Sequence, residues 1–234
     1  MSIFGQFSNL RKRHEAEREP LPEAGCLNAF GLELRDILSC DRFVARSDYR
    51  PLVDGYADLY AQFDVLRRTQ MLQYFCRDSG ISVEDAEGFL SAYEDLSDDS
   101  GSEIISAHNE EFVKSHLESE REYLDGILAD VDRSISLDDD QRRVVLSDED
   151  YMLVIAGAGA GKTTTVAAKV KYLVDRQGVR PDQILVISFT NKAVGELKEK
   201  INRALGIDCP ITTFHKTGFD ILRRQYESRK MVVD

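Results

Sequence analysis

Cysteine is scarce and scattered. Cys26, Cys40, Cys76 and Cys209 form no CxxC pair, which argues against a zinc site or a disulfide framework. Isolated thiols of this kind fit a reducing compartment, where they serve as small buried or idle side chains. Long apolar runs are missing as well. Arg11, Lys12 and Arg13 lie near the N-terminus, but no apolar stretch follows them. No segment reaches the length needed to span a bilayer, so a soluble, cytoplasmic protein with no membrane partner is expected. Proline is rare, and two of the five stand together in EPLPE, after a polar start. They mark a break, and residues 1–24 are expected to form a frayed helix or a tail.

What the chain has in quantity is charge, unevenly placed. Residues 1–136 hold 14 Lys+Arg against 28 Asp+Glu, whereas residues 151–234 hold 14 against 8. A basic part behind an acidic one fits a nucleic-acid or phosphate surface confined to the C-terminal portion. The competing explanation is a modest excess used partly on nucleotide phosphates. A length of 234 residues suits one large domain or two small ones.

The first half reads as helical. Helices are expected over Leu27–Cys40 and Tyr49–Asp78, the second carrying Leu52, Tyr56, Leu59, Phe63, Leu66 and Phe75 at helical spacing. Ser82 with Asp85 resembles an N-cap for a helix through about Leu96. Ser97–Glu103 is a solvated acidic turn without calcium-loop spacing, and a charged helix is expected from about Glu103 to Val131. After Ser134 the pattern changes. Strands at Met152–Ile155, Gln183–Ser188 and Pro210–Thr213 alternate with helices at Gly161–Arg176, Lys192–Leu205 and Phe214–Gln225. This βαβαβα order implies an α/β fold with a parallel sheet.

The first of these strands runs into AGAGAGKTT, from Ala156 to Thr164. This is a phosphate loop in relaxed form, with Ala156 where glycine is usual. Backbone N–H groups from Ala156 through Gly157, Ala158, Gly159, Ala160, Gly161 and Thr164 can wrap a polyphosphate. Lys162 can reach its terminal phosphates and the Thr163 hydroxyl can ligate Mg²⁺. The following helix adds the positive end of its dipole. ATP and Mg²⁺ are therefore the expected cofactors. The competing reading is a flexible Ala/Gly turn before a surface helix.

Three further clusters fall in order around the loop. LDDDQ, at Leu137–Gln141, precedes it; ISFTNKAVG, at Ile187–Gly195, ends the second expected strand; TFH, at Thr213–His215, ends the third. Ligands bind at the carboxyl ends of strands in open parallel sheets, so these clusters share one edge. Singly they are weak: Gln141 can be a polar helix residue, Asn191 a helix cap and His215 a packed histidine. Together, over residues 137–225, the set LDDDQ, AGAGAGKT, SFTNKA, TFH resembles the superfamily 1A helicases of the UvrD/Rep type. Within that family helicase IV looks most similar, because a charged helical segment with a His-Asn pair, His108-Asn109, precedes the first motif. That match extends the resemblance to about Ile104.

Residues 1–100, a helical N-terminal region of unknown role, lie outside the resemblance; a charged helical connector (101–136) follows them, and the resemblance implies a partial RecA-like P-loop NTPase domain (137–234). It also implies roles. Gln141 reads the adenine edge, Lys162 and Thr163 are catalytic, and Phe189, Thr190, Asn191, Lys192, Thr213 and His215 line a track for single-stranded DNA. Asp138 stands where Asn is common and Ala160 where Ser is common. The acidic first half offers a surface for a protein partner. The complete enzyme is expected to couple ATP hydrolysis to 3′–5′ movement on single-stranded DNA. The family's acidic Walker B motif and second RecA-like domain are not found before Asp234, so this chain alone is expected to be inactive, with an unpaired sheet edge and marginal stability or association. SDED, at Ser147–Asp150, precedes the loop and reads as a turn. The rivals are a non-catalytic nucleotide- or DNA-binding module and an unrelated P-loop ATPase or kinase, the latter having no need of SFTNKA and TFH.

Overall fold

The computed structural model describes residues 24–230; the tail expected over residues 1–24 falls almost wholly outside them. The chain divides into two compact units, the first including residues 46–107 and the second residues 41–45 and 108 onward.

In the first unit, helices α1 (Ala24–Ser39), α2 (Arg46–Gly55), α3 (Ala57–Arg68), α4 (Leu72–Ser79) and α5 (Val83–Ser97) are followed by the start of α6 (Glu103–Ser119). The single helix expected over Tyr49–Asp78 is thus three. The helix is interrupted at Gly55-Tyr56 and at Gln70, whose φ of 59° is left-handed. The reason is burial. A straight 30-residue helix is about 45 Å long, and its apolar stripe cannot fold onto itself. Broken into pieces, the same stripe buries Leu52, Phe63 and Leu72 around an aromatic cluster in which Phe63 meets Phe75 and Phe89 edge-on. Ser82 caps α5 as its spacing predicts, its Oγ accepting from Asp85 N at 2.9 Å. A carboxylate in the last turn of α5 serves the next helix. Asp95 accepts from the Ser102 hydroxyl and from Glu103 N (2.8 Å) and Ile104 N (3.2 Å), which satisfies N–H groups that a helix start leaves open.

In the second unit, the long charged helix expected to Val131 is also interrupted: α6 ends at Ser119, α7 spans Arg121–Gly126, and turns follow. Asn109 on α6 clasps the segment 41–45. Its Nδ2 donates to Val44 O (2.9 Å) while its Oδ1 accepts from Val44 N (2.8 Å). Both residues are buried, and the carboxamide satisfies one donor and one acceptor that would otherwise be orphaned. Then come α8 (Asp139–Leu146), α9 (Lys162–Asp175), a 3₁₀ turn (Pro181–Gln183), β1 (Val186–Ser188), α10 (Asn191–Lys198), a π turn (Glu199–Ala204), β2 (Ile211–Thr213) and α11 (Phe214–Lys230). The core gathers Leu124, Ile127, Leu128, Val145, Leu146, Ala167, Ala168 and Ile201, all nearly or wholly inaccessible.

The two strands pair in parallel, with Val186 opposite Ile211 and Ser188 opposite Thr213. The architecture is therefore mostly helical with a two-stranded parallel sheet. Met152–Ile155, expected as a strand, is not one. A strand exists through its partner's hydrogen bonds, and among the described residues β1 and β2 pair only with each other. Leu153 and Ile155 are consequently 86% and 89% exposed. The helix expected over Lys192–Leu205 starts one residue earlier and changes its winding at Glu199.

Candidate functional site

The site is built on the junction of the glycine-rich segment with α9. Gly161 caps the helix with φ 72°, and Gly159 has φ 78°; both lie in the left-handed region that glycine enters without steric cost. At Gly161 a second constraint applies, since a Cβ there would stand 2.5 Å from Gln141 Nε2. The first helical hydrogen bond is Thr165 N to Gly161 O at 2.9 Å. The N–H groups of Lys162, Thr163 and Thr164 therefore have no intrahelical acceptor and lie where the helix dipole is positive. Lys162 curls back over the loop, its Nζ donating to Ala156 O (3.1 Å) and Gly157 O (2.6 Å). Thr163 follows it in the first turn, half-buried.

Gln141 is brought to this loop by its own helix start. Asp138 is the N-cap of α8: its Oδ1 accepts from Gln141 N (2.8 Å), and Gln141 Oε1 accepts from Asp138 N (3.1 Å). The reciprocal pair is a capping box. It fixes the orientation of the amide, whose Nε2 donates to Ala160 O at 3.2 Å. Each end of the amide has then made one hydrogen bond. One N–H and one oxygen lone pair remain, in fixed positions. The aspartate at 138 thus does the capping that an Asn would do in its place.

The far end of α8 is held by α9, the helix that follows the loop. Lys169 on α9 donates to Val145 O (3.0 Å) and Ser147 O (2.5 Å), with Asp148 Oδ1 at 3.5 Å. Burial pushes the Lys169 ammonium below the ordinary lysine range, and Asp148 opposes that shift. Part of SDED is therefore a counter-ion in a turn. Helix α8 is gripped at both ends by the loop-bearing segment, which sets where Gln141 sits.

A second cluster lies at the carboxyl ends of the strands. Parallel pairing of Ser188 with Thr213 brings together the residues that follow each strand. Phe189 is 81% exposed and its ring centroid lies 6.5 Å from that of His215. Thr190, rather than Asn191, caps α10, accepting from Ala193 N at 3.1 Å; Asn191 and Lys192 are its first residues, both exposed. Thr213 Oγ1 accepts from Lys216 N at the start of α11 (3.3 Å). Exposed Phe214, not singled out in the sequence, joins the cluster beside His215. The arrangement offers aromatic faces and a cation on one edge, a combination suited to stacking bases and contacting phosphates.

Two lysines escaped sequence reasoning. Lys169 lies seven residues after Lys162 and so on the same helix face, a spacing that could have found it. Lys200 Nζ donates to Thr164 Oγ1 at 3.1 Å; the π turn that carries it has no periodic signal. Among the described residues no group of three His, Cys, Asp or Glu side chains could hold a metal ion, and no helix is long and apolar enough to cross a membrane.

Comparison with known proteins agrees with this geometry. Residues 137–232 match the family model of the UvrD/REP helicase N-terminal domain. The chain is similar to the ATP-dependent DNA helicase UvrD1 of Mycobacterium leprae (strain TN), 40% identical over 102 residues, or 42% of this chain and 13% of that protein. It is also similar to the ATP-dependent DNA helicase PcrA of Staphylococcus aureus (strain NCTC 8325 / PS 47), 39% identical over 88 residues, or 36% of this chain and 12% of that protein. The match to the UvrD1 of Mycobacterium tuberculosis (strain ATCC 25618 / H37Rv) is 39% over 92 residues, covering 38% and 12%. The aligned part spans about an eighth of these relatives. The UvrD/Rep-type resemblance read from the motifs is borne out over residues 137–232.

Proposed function

We propose, on the premise that residues 137–232 are a UvrD/REP helicase N-terminal segment, that the chain is the ATP-binding N-terminal part of a 3′–5′ DNA helicase. The observation that carries this reading is the join between Gln141 and the loop. A capping box orients the carboxamide, a loop carbonyl receives its N–H, and one donor and one acceptor remain. That pair complements the N6 and N7 edge of adenine. The residues present fit a nucleoside triphosphate with Mg²⁺: glycines at 159 and 161 hold the loop in the left-handed backbone region, and Lys162 and the Thr163 hydroxyl stand at the helix start.

ATP supplies the γ-phosphoryl group whose transfer to water releases the free energy. The part of this chain is to bind and orient. Lys162 leaves the loop carbonyls to neutralise phosphate charge, Thr163 offers its hydroxyl to the cation, and the N–H groups of the first turn hold phosphate oxygens. Phe189, Thr190, Asn191, Lys192, Thr213 and His215 form the single-stranded DNA edge, with Phe214 added. Residues 137–230 form a partial RecA-like domain in this reading, and turnover and movement belong to a longer product.

The test is titration of the full chain with a fluorescent ATP analogue and Mg²⁺. Lys162→Ala should weaken binding by about one to two orders of magnitude, as loss of charge-assisted hydrogen bonds implies. Equal affinity in the variant sinks the proposal. A second reading, a binding module without turnover, is favoured by the unpaired Met152–Ile155 segment. DNA-stimulated ATP hydrolysis by this chain would eliminate it.

A further inference from the structure

We infer that Lys200 is a second cation of the phosphate site, positioned there by Thr164, and that it acts on the nucleoside polyphosphate held by the loop. The inference rests on the nucleotide-binding reading above. Its starting point is an ammonium in an electrostatically poor place. Lys200 Nζ donates to the hydroxyl of Thr164, in the first turn of α9, at 3.1 Å. A cation is disfavoured beside a helix N-terminus, where the dipole is already positive. Lys162 stands in the same turn, so two like charges share that end. Among the described residues neither lysine has a carboxylate within 4.0 Å, whereas Lys169 and Lys171 of the same helix each do. A neutral hydroxyl is thin compensation for a half-buried lysine. A polyphosphate in the loop resolves the conflict, because it gives both ammonium groups and the dipole one common counter-charge.

The backbone around Lys200 supports the same conclusion. Lys200 O accepts from Leu205 N across five residues, at 3.1 Å, the signature of a π turn. Such turns are rare and recur at functional sites. The next residue, Ile201, is fully buried and anchors the turn in the core. Lys200 is thus delivered to Thr164 from a fixed base, with only its own side chain free to adjust.

Charge and hydrogen bonding can be separated by substitution in the full 234-residue chain. Lys200→Gln keeps an N–H donor for Thr164 and removes the charge. Lys200→Arg keeps the charge. Titration with MgATP at low and high salt should show the Gln variant about tenfold weaker at low salt, the difference shrinking as salt screens the site. The Arg variant should stay within about twofold of the parent. Thermal unfolding without nucleotide should occur no lower for the Gln variant than for the parent, because the charge it removes is disfavoured there. A Gln variant that binds as tightly as the parent overturns the inference. So does a salt-independent loss matched by a lower unfolding temperature, which would make Lys200 a structural tie. A parent chain that does not bind MgATP removes the nucleotide reading and this inference with it.

Discussion

Gly161 shows how much a single position can decide. It must hold a left-handed φ, start α9 and leave room for the Gln141 amide, and a Cβ would meet that amide at 2.5 Å. Gly161→Ala should cost about 1–2 kcal/mol of stability from the backbone conformation alone. It should also lower MgATP affinity, because relief of the clash moves Gln141 off the loop. Chemical denaturation together with nucleotide titration checks both effects; an Ala variant with the parent's stability would show that the loop relaxes freely. The importance of Gly161 is legible in the sequence, since the phosphate-loop pattern names it. Its contact with Gln141 is not, because that depends on a side chain twenty residues earlier. The same holds for Lys200, whose partner Thr164 lies 36 residues away.

Among the elements, α8 is eight residues long, too short to be stable by propensity alone. Its capping box and the Lys169 grip hold it. Asp138→Ala removes half of the box and should cost about 1 kcal/mol. If Gln141 reads adenine, the same variant should lose part of the preference for ATP over GTP, while affinity for inorganic triphosphate stays level. A preference unchanged despite lost stability would detach the cap from recognition. Caps were readable here: Ser82 with Asp85 announced α5 correctly. The interruptions at Tyr56 and Gln70 were not readable, because they follow from how an apolar stripe packs in three dimensions. Periodicity sees the stripe and cannot see where it folds back. The π turn escaped for a related reason, as one extra residue per turn leaves no repeat to detect.

For the molecule as a whole, the largest departure from sequence reasoning is at Met152–Ile155. The apolar run reads as a buried parallel strand, yet Tyr151, Leu153 and Ile155 are 94%, 86% and 89% exposed. The inference of strand character was local, whereas strand formation needs neighbours that the described residues do not supply. A contiguous apolar, unpaired segment of this kind is an association site. The full chain should therefore self-associate with rising concentration. Leu153→Lys with Ile155→Lys should restore a monomer in sedimentation velocity, with unfolding shifted by no more than about 0.5 kcal/mol. A parent chain that stays monomeric at its solubility limit contradicts this.

The clasp between Asn109 and Val44 bears on how the chain can be dissected. The short stretch 41–45 sits with the second unit, although the chain on either side of it sits with the first. No single cut yields two intact pieces. Severing the chain anywhere between 45 and 108 frees a C-terminal product whose Asn109 has lost both its backbone partners, and whose Phe112 has lost the ring of Phe43. A buried carboxamide stranded in this way costs about 1–3 kcal/mol. For anyone trimming this chain to a minimal nucleotide-binding fragment, the natural seam is a splice joining two distant stretches.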